Sequence, residues 1–411
     1  ARAVVFSDAT AALLDQMELP QSVQRWRNGR GGASGFSQID HAPAKPQQYA
    51  SLEGSAMLYS SGTSGKPKGI KRTLSGSAFG VLTPGDTMLR GLYGWCRDTI
   101  FLCPSPLYHA APMNFAMATH RAGGTVVVMP QFEPVEALQA IAQFGVNRIW
   151  FVPTMMIRLL KLPDKERAGY DISSVTHIVH SGAPCPPKVK HAMLEWWGPV
   201  LYEFYAATEG NGFVAITPRE WLDHPGSVGR SDDVRIVGED GSLVPQGEIG
   251  LIYFASEWTR FAYHNDAEKT AEAHDSHGWT TLGDMGYLDA DGYLYLADRK
   301  SHMIISGGVN IYPQEAENVL ALHPRVLDVA VIGVPNEEYG EEVKAVVQLV
   351  ADAAPSEELE AALIAFCRDR LARYKCPRSV DFVDELPRLP TGKLRKRDLR
   401  ARYWNDARVR V

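Results

Sequence analysis

Between Ser105 and Gly210 the hydrophobic pattern switches repeatedly between short continuous runs and helical spacing. Thr125 to Met129 (TVVVM) is a β-branched run of strand length. Pro134 to Gly145 opens on proline and closes on glycine, with Val135, Leu138, Ile141 and Phe144 on one stripe, which predicts a helix. Asn147 to Val152 reads as a strand, Thr154 to Leu160 as a helix and Thr176 to Val179 as a strand. Pro187 to Trp197 reads as a helix and Val200 to Tyr205 as a strand. This alternation predicts a mostly parallel sheet with helices on both faces. Ligands of such sheets bind beyond the carboxyl ends of the strands. Here those ends read Pro153-Thr154, Ser181 to Pro184 and Ala207 to Gly210, small, polar or acidic after apolar runs.

From Val234 the pattern becomes strands punctuated by Asp-Gly at 240–241 and 291–292, which is hairpin chemistry and predicts an antiparallel sheet or small barrel. After Arg299 it changes again. A helix near Gln314 to Leu322, strands near Leu327 to Val334 and Val343 to Val350, a helix near Ser356 to Ala372 and a strand near Ser379 to Val383 predict a compact α+β unit. Adjacent glycines at 307 and 308 mark the junction as a candidate hinge.

Composition narrows the class. The 411 residues are 45% hydrophobic with a net charge of −6, which excludes global disorder and argues against nucleic-acid binding through bulk charge. No apolar run approaches the roughly 18 residues of a membrane-spanning helix. Cys96, Cys103, Cys185, Cys367 and Cys376 contain no C-x-x-C and read as reduced core residues of a cytoplasmic protein. His274 and His277 form H-x-x-H without further ligands nearby and read as a solvated loop, and Met155-Met156 reads as core packing.

The densest chemistry lies in Tyr59 to Gly69, YSSGTSGKPKG. Its glycines let backbone amides approach an anion, its hydroxyls add donors, and Lys66 and Lys68 neutralise phosphate charge. Thr208 and Glu209, at a strand end, are a hydroxyl and a carboxylate able to hold a nucleotide-bound magnesium. Asp284, in TLGDMGY, can accept both hydroxyls of a ribose. Lys393 follows Pro-Thr-Gly near the C-terminus. Each of the last three, taken alone, reads better as a cap, a turn or a solvated charge.

In this order the segments resemble the adenylate-forming superfamily of acyl- and aryl-CoA synthetases, peptide-synthetase adenylation domains and luciferases. The resemblance runs from Tyr59 to Leu399. It rests on YSSGTSGKPKG, PLYHAAP (106–112), SGAP (181–184), YEFYAATEG (202–210), GWTTLGDMGYLDADGYLYLADRK (278–300), ISGGVNIYP (305–313) and LPTGK (389–393). It implies an α/β chain in two domains. Residues 1–299 would form a large adenylation domain of layered mixed α/β sheets with a small β-barrel-like subdomain. Residues 300–411 would form a small mobile α+β domain carrying the catalytic lysine.

The resemblance also implies roles. Ser61, Gly62, Thr63, Ser64 and Gly65 with Lys68 would hold the β- and γ-phosphates of ATP. Gly182, Ala183 and Pro184 would border the adenine, with Tyr205 stacking on it. Thr208 would contact the α-phosphate, Glu209 the Mg²⁺, and Asp284 the ribose hydroxyls, assisted by Arg299. Lys393 would bridge the substrate carboxylate and the α-phosphate, with His109 beside them and Met113, Asn114, Trp150 and Val152 lining the acyl pocket. Ser301 would be the pivot on which the C-terminal domain turns, bringing Gly307 and Gly308 to the entry of CoA.

The implied reaction joins a small-molecule carboxylic acid to CoA through an acyl-adenylate, with a carrier-protein acceptor and a non-catalytic nucleotide binder as alternatives and a homo-oligomer left open. The pocket candidates offer no cation for a second carboxylate, which favours a hydrophobic acid. Three departures stand out. Ser occupies the pivot where many relatives carry Asp or Lys, and Ala206 replaces a glycine after Tyr205. Only 58 residues precede the phosphate loop, where relatives carry about a hundred more; with Ala1 in first place, this predicts an N-terminally incomplete sequence.

Overall fold

The computed structural model describes residues 3–7, 15–17, 21, 24–28, 52–60, 68–72, 74–255, 261–388 and 394–404. By its internal contacts the chain forms two compact units, one of residues 1–53 with 76–80, the other of residues 54–75 with 81–411. In the first, β1 (Ala3–Ser7) and β2 (Gln24–Asn28) pair in parallel, and Leu52 bridges Ala78.

The second unit begins with β3 (Leu58–Ser60) and β4 (Lys68–Lys71), an antiparallel pair that closes at Ser60 opposite Lys68. The main sheet follows, built from β5 (Ile100–Cys103), β6 (Thr125–Val128), β7 (Arg148–Phe151), β8 (His177–His180), β9 (Leu201–Ala206) and β10 (Phe213–Ile216). Its order is β10-β9-β8-β7-β5-β6, parallel except for β10. Strands β5, β7 and β8 have almost no solvent-facing side, which is why they read as runs rather than alternations. Helices start and stop on local signals. Thr83 and Asp86 form a capping box ahead of Pro84–Tyr93, and Gly94 ends that helix in the left-handed region. Glu133 caps Pro134–Phe144, and Gly145 ends it in the same way. The core between helices and sheet is aromatic: Trp95, Phe101, Phe115 and Phe204 contact one another in sequence, with ring centroids 5.3–6.2 Å apart.

A five-stranded antiparallel sheet follows, built from β11 (Ser227–Gly229), β12 (Val234–Val237), β13 (Gly250–Phe254), β15 (Asp284–Leu288) and β16 (Leu294–Arg299) in the order β11-β16-β15-β13-β12. The intervening β14 (Ala262–Tyr263) pairs instead with β4. The expected Asp-Gly turns are present, with Gly241 and Gly292 at φ near +80°.

The last part holds β17 (Ile304–Ser306), β18 (Val309–Ile311), β19 (Val326–Asn336), β20 (Gly340–Leu349) and β21 (Ser379–Val383). Helices Pro313–Leu320 and Glu357–Arg368 pack on it around Leu320, Val331, Val347 and Leu363. Among the described residues no helix is long and apolar enough to cross a membrane. Cys103, Cys367 and Cys376 are buried as expected. Cys96 is not a core residue: it is exposed, in the turn before β5.

Candidate functional site

Parallel strands β5, β7, β8 and β9 point their carboxyl ends at one edge of the main sheet. That edge therefore gathers the segment ending at His109, Val152 with Pro153, Ser181 to Pro184, and Thr208 with Glu209. At its centre the Trp150 indole donates to Ser181 Oγ at 3.0 Å. Gly182 stands at φ +87°, with Val152 Cγ1 3.6 Å from where a Cβ would be. Trp150 and Val152, expected to line an acyl pocket, are thus neighbours of the turn expected to border the adenine. Met113 is half-buried, Asn114 is exposed, and His109 occupies the N-cap position of helix Ala110–Ala122 with its ring 4.3 Å from that of Tyr108.

Residues far apart in sequence meet at the end of β9. Tyr205 Oη donates to Asp284 Oδ2 at 2.8 Å, and Arg299 Nε donates to Asp284 Oδ1 at 3.0 Å. The backbone registers explain the meeting, since Asp284 pairs directly with Arg299 across β15 and β16. Burial pushes the Tyr205 hydroxyl well up, and the Asp284 carboxylate adds to this, so the tyrosine stays a donor. The Asp284 charge raises the Arg299 guanidinium further. A carboxylate fixed from two sides in this way has its orientation set before any ligand arrives.

Four residues along from Tyr205, Glu209 Oε1 accepts the Tyr263 hydroxyl at 3.0 Å. The Lys68 ammonium lies 4.9 Å from the Tyr263 ring centroid, a cation–π distance. Arg72 donates to the Thr208 carbonyl at 2.7 Å. The sequence reading missed Tyr263 and Arg72. Arg72 lies four residues after Lys68, and its basic character next to a phosphate-loop candidate was the available signal; Tyr263 carried none, because only the pairing of β14 with β4 brings it there.

Ser61, Gly62, Thr63, Ser64, Gly65 and Lys393 lie outside the described residues. The loop's stems do not: Ser60 and Lys68 close it as a hairpin. Gly307 and Gly308 form a two-residue turn between β17 and β18, both at positive φ, exposed, with the Gly307 amide donating to Tyr339 O at 2.8 Å.

A carboxylate fixed from two sides and a strand-end Thr-Glu, with Lys68 and Arg72 beside them, are what the sequence resemblance places at the nucleotide of an adenylate-forming enzyme. The chain belongs to the AMP-binding enzyme family, whose main domain matches residues 3–264 and whose C-terminal domain matches residues 315–393. Its relatives place it in the acyl-CoA synthetase branch. It is 33% identical to the long-chain-fatty-acid–CoA ligase FadD13 of Mycobacterium tuberculosis, over 98% of this chain and 78% of that protein. It is 32% identical to the fatty acid–[acyl-carrier-protein] ligase ScoC of Streptomyces coeruleorubidus, over 91% and 72%. The crystal structure of the anthranilate CoA ligase AuaEII in complex with anthranoyl-AMP superposes with a TM-score of 0.82 at 26% identity, over 98% of this chain and 78% of that one.

Proposed function

We propose that the chain is an ATP-dependent carboxylate–CoA ligase that forms an acyl-adenylate from a hydrophobic acid and passes the acyl group to the thiol of CoA. The observation that carries this reading is the Tyr205–Asp284–Arg299 array, a carboxylate oriented for a ribose diol, at the same strand end as Glu209. In this reading Ser61 to Gly65 with Lys68 hold the β- and γ-phosphates. Gly182, Ala183 and Pro184 border the adenine. Lys393 and His109 attend the reacting carboxylate.

Glu209, with one carboxylate oxygen engaged by Tyr263, and the Thr208 hydroxyl form a hard-oxygen donor set of the kind magnesium accepts. They would hold Mg²⁺, which when bound neutralises phosphate charge. The substrate carboxylate is already a nucleophile, so adenylation needs no general base; it needs cations to bring two anions together and to stabilise the charge that develops. Residues 1–299 and 300–411 are assigned as the two working domains, with Gly307 and Gly308 turned to the CoA entry in the second half-reaction. Transfer to a carrier protein is the second reading, favoured by the likeness to ScoC.

Exchange of labelled pyrophosphate into ATP, without CoA, across a panel of aromatic, branched and medium-chain acids tests the first half. Acid-dependent exchange is expected; a folded chain that binds ATP and exchanges with no acid would leave only a nucleotide-binding role. Thioester formation with CoA, set against a phosphopantetheinylated carrier, then decides the acceptor.

A further inference from the structure

Helix Pro313–Leu320 begins without a cap of its own. Tyr312 holds the N-cap position in extended backbone and makes no side-chain cap bond. The amide of Gln314, in the first turn, donates instead to Asp298 Oδ2 at 3.0 Å. Asp298 is on β16, outside the helix and on the other side of the Ser301 turn. Its second oxygen accepts the Arg299 amide at 2.7 Å and lies 3.1 Å from His302 Nδ1. The side chain is 4% exposed. Burial pushes its carboxyl up, but Lys396 and His302 outweigh burial and hold it down at about 2. A carboxylate at a helix N-terminus satisfies an orphan amide and meets the positive end of the helix dipole.

The same helix reaches the segment that follows Lys393. Glu317 Oε1 is 2.8 Å from Lys396 Nζ and also accepts the Val331 amide at 2.7 Å. Lys396 is buried and lies three residues beyond Lys393. One helical turn on, Arg400 pairs with Glu341 at 3.2 Å and donates to the Ser301 carbonyl at 3.4 Å. Asp298 and Arg299, adjacent on β16, thus serve two directions: Arg299 holds the candidate ribose carboxylate, and Asp298 holds the helix whose Glu317 holds Lys396.

We propose that Asp298 is a positioning residue, a carboxylate on β16 that caps helix Pro313–Leu320 across the Ser301 turn and, through Glu317 and Lys396, orients for adenylation the stretch from Leu394 that follows Lys393 in sequence. This rests on the ligase reading above. Rotation about Ser301 must break the Asp298–Gln314 bond, whereas Lys396–Glu317 lies wholly beyond the pivot and travels intact. The cap therefore biases the orientation of the C-terminal part without touching substrate.

The test compares the wild-type chain with Asp298→Ala, which removes the acceptor, and Asp298→Asn, which keeps one. Amide hydrogen exchange is read at Gln314 and, as a control for folding, in β19 and β20. Pyrophosphate exchange and thioester formation from supplied acyl-adenylate are measured separately. Asp298→Ala is expected to lose protection at Gln314 and to slow adenylation about fivefold or more, the range of a lost cap, with thioester formation unchanged. Asp298→Asn is expected to restore most of both losses.

Unchanged exchange at Gln314, or equal slowing of both half-reactions, would overturn the proposal. If Asp298→Ala loses protection in β19 and β20 as well, Gln314→Pro replaces it, removing the donor in the first turn, where a helix tolerates proline; slowed adenylation with unchanged thioester formation then supports the proposal, and equal rates or equal slowing overturns it. A wild-type chain inert toward every acid would sink the ligase reading instead, and the exchange at Gln314 would still decide the cap.

Discussion

Gly210 is constrained to glycine by two independent features. Its φ is +70°, and a Cβ there would stand 3.1 Å from Arg72 Nη2, whose guanidinium covers this turn. Gly210→Ala is expected to destabilise the protein by about 1–2 kcal/mol from the backbone alone, read as a fall in Tm. Adding Arg72→Ala relieves the crowding and not the backbone; full recovery in the double variant would show that the φ constraint had been misjudged. The neighbouring array separates by similar logic. Tyr205→Phe removes one hydrogen bond and leaves the Arg299–Asp284 pair, so the KM for ATP should rise by about fivefold. Asp284→Ala removes the proposed acceptor for ribose and the counter-charge of Arg299 together, and kcat/KM for ATP should fall by about a hundredfold or more. Steady-state kinetics on the two variants checks this, and equal losses would remove Asp284 from the ribose-binding role.

At the scale of elements, a helix and a strand are tied by a buried charge pair that no motif announced. Lys190, on helix Pro187–Trp197, donates to Glu203 on β9 at 2.7 Å, with both side chains nearly inaccessible. Burial raises the Glu203 carboxyl against the pull of Lys190. Lys190→Met alone strands that carboxylate and should cost about 3–5 kcal/mol, while Lys190→Met with Glu203→Leu should recover much of it; chemical denaturation of the wild type and these two variants distinguishes a stabilising pair from one that is merely compensated. On the adjacent strand, His177 of β8 stacks on Tyr202 with ring centroids 4.8 Å apart, and burial, with the Arg148 charge, lowers its pKa from 6.5 to about 4. Between those values the unfolded chain binds the extra proton, so stability is complete above 6.5 and is lost as pH falls toward 4. His177→Phe, which keeps the stack, should flatten the Tm profile across that window. An unchanged slope would assign the acid sensitivity elsewhere.

Elements such as these also show what sequence alone makes legible. Pro134–Phe144 and Pro187–Trp197 were readable because proline, glycine and apolar spacing are local signals. The burial of Met155 and Met156 was readable in the same way. The antiparallel β10 at the end of a parallel sheet, the pairing of β14 with β4, and the register that sets Asp284 opposite Arg299 are relations between distant segments, and no local pattern encodes them. Motif order singled out Asp284 and Glu209; the contacts of Tyr263, Arg72 and Asp298 with distant segments exist only once strands are paired.

At the scale of the whole molecule, the proposed catalytic lysine belongs to residues 389–393, and the stems on either side of that stretch are described. Arg388 bridges Leu394, pairs with Asp328 on β19, and the Arg395 amide donates to Pro387 O at 2.8 Å. With Lys396 on Glu317, both stems flanking residues 389–393 are anchored in the C-terminal part by contacts that do not involve the Lys393 side chain. Lys393→Ala should therefore leave the fold intact, with Tm unchanged within about 1 °C, the range of a neutral surface substitution. If the lysine supplies the cation that lets a carboxylate approach ATP, adenylation should fall by about a hundredfold or more, while thioester formation from supplied acyl-adenylate persists because that step needs no neutralisation of phosphate charge at the point of attack. Equal loss of the two half-reactions, at unchanged Tm, would mean that one fixed arrangement serves both steps and that the C-terminal part does not exchange positions during the cycle.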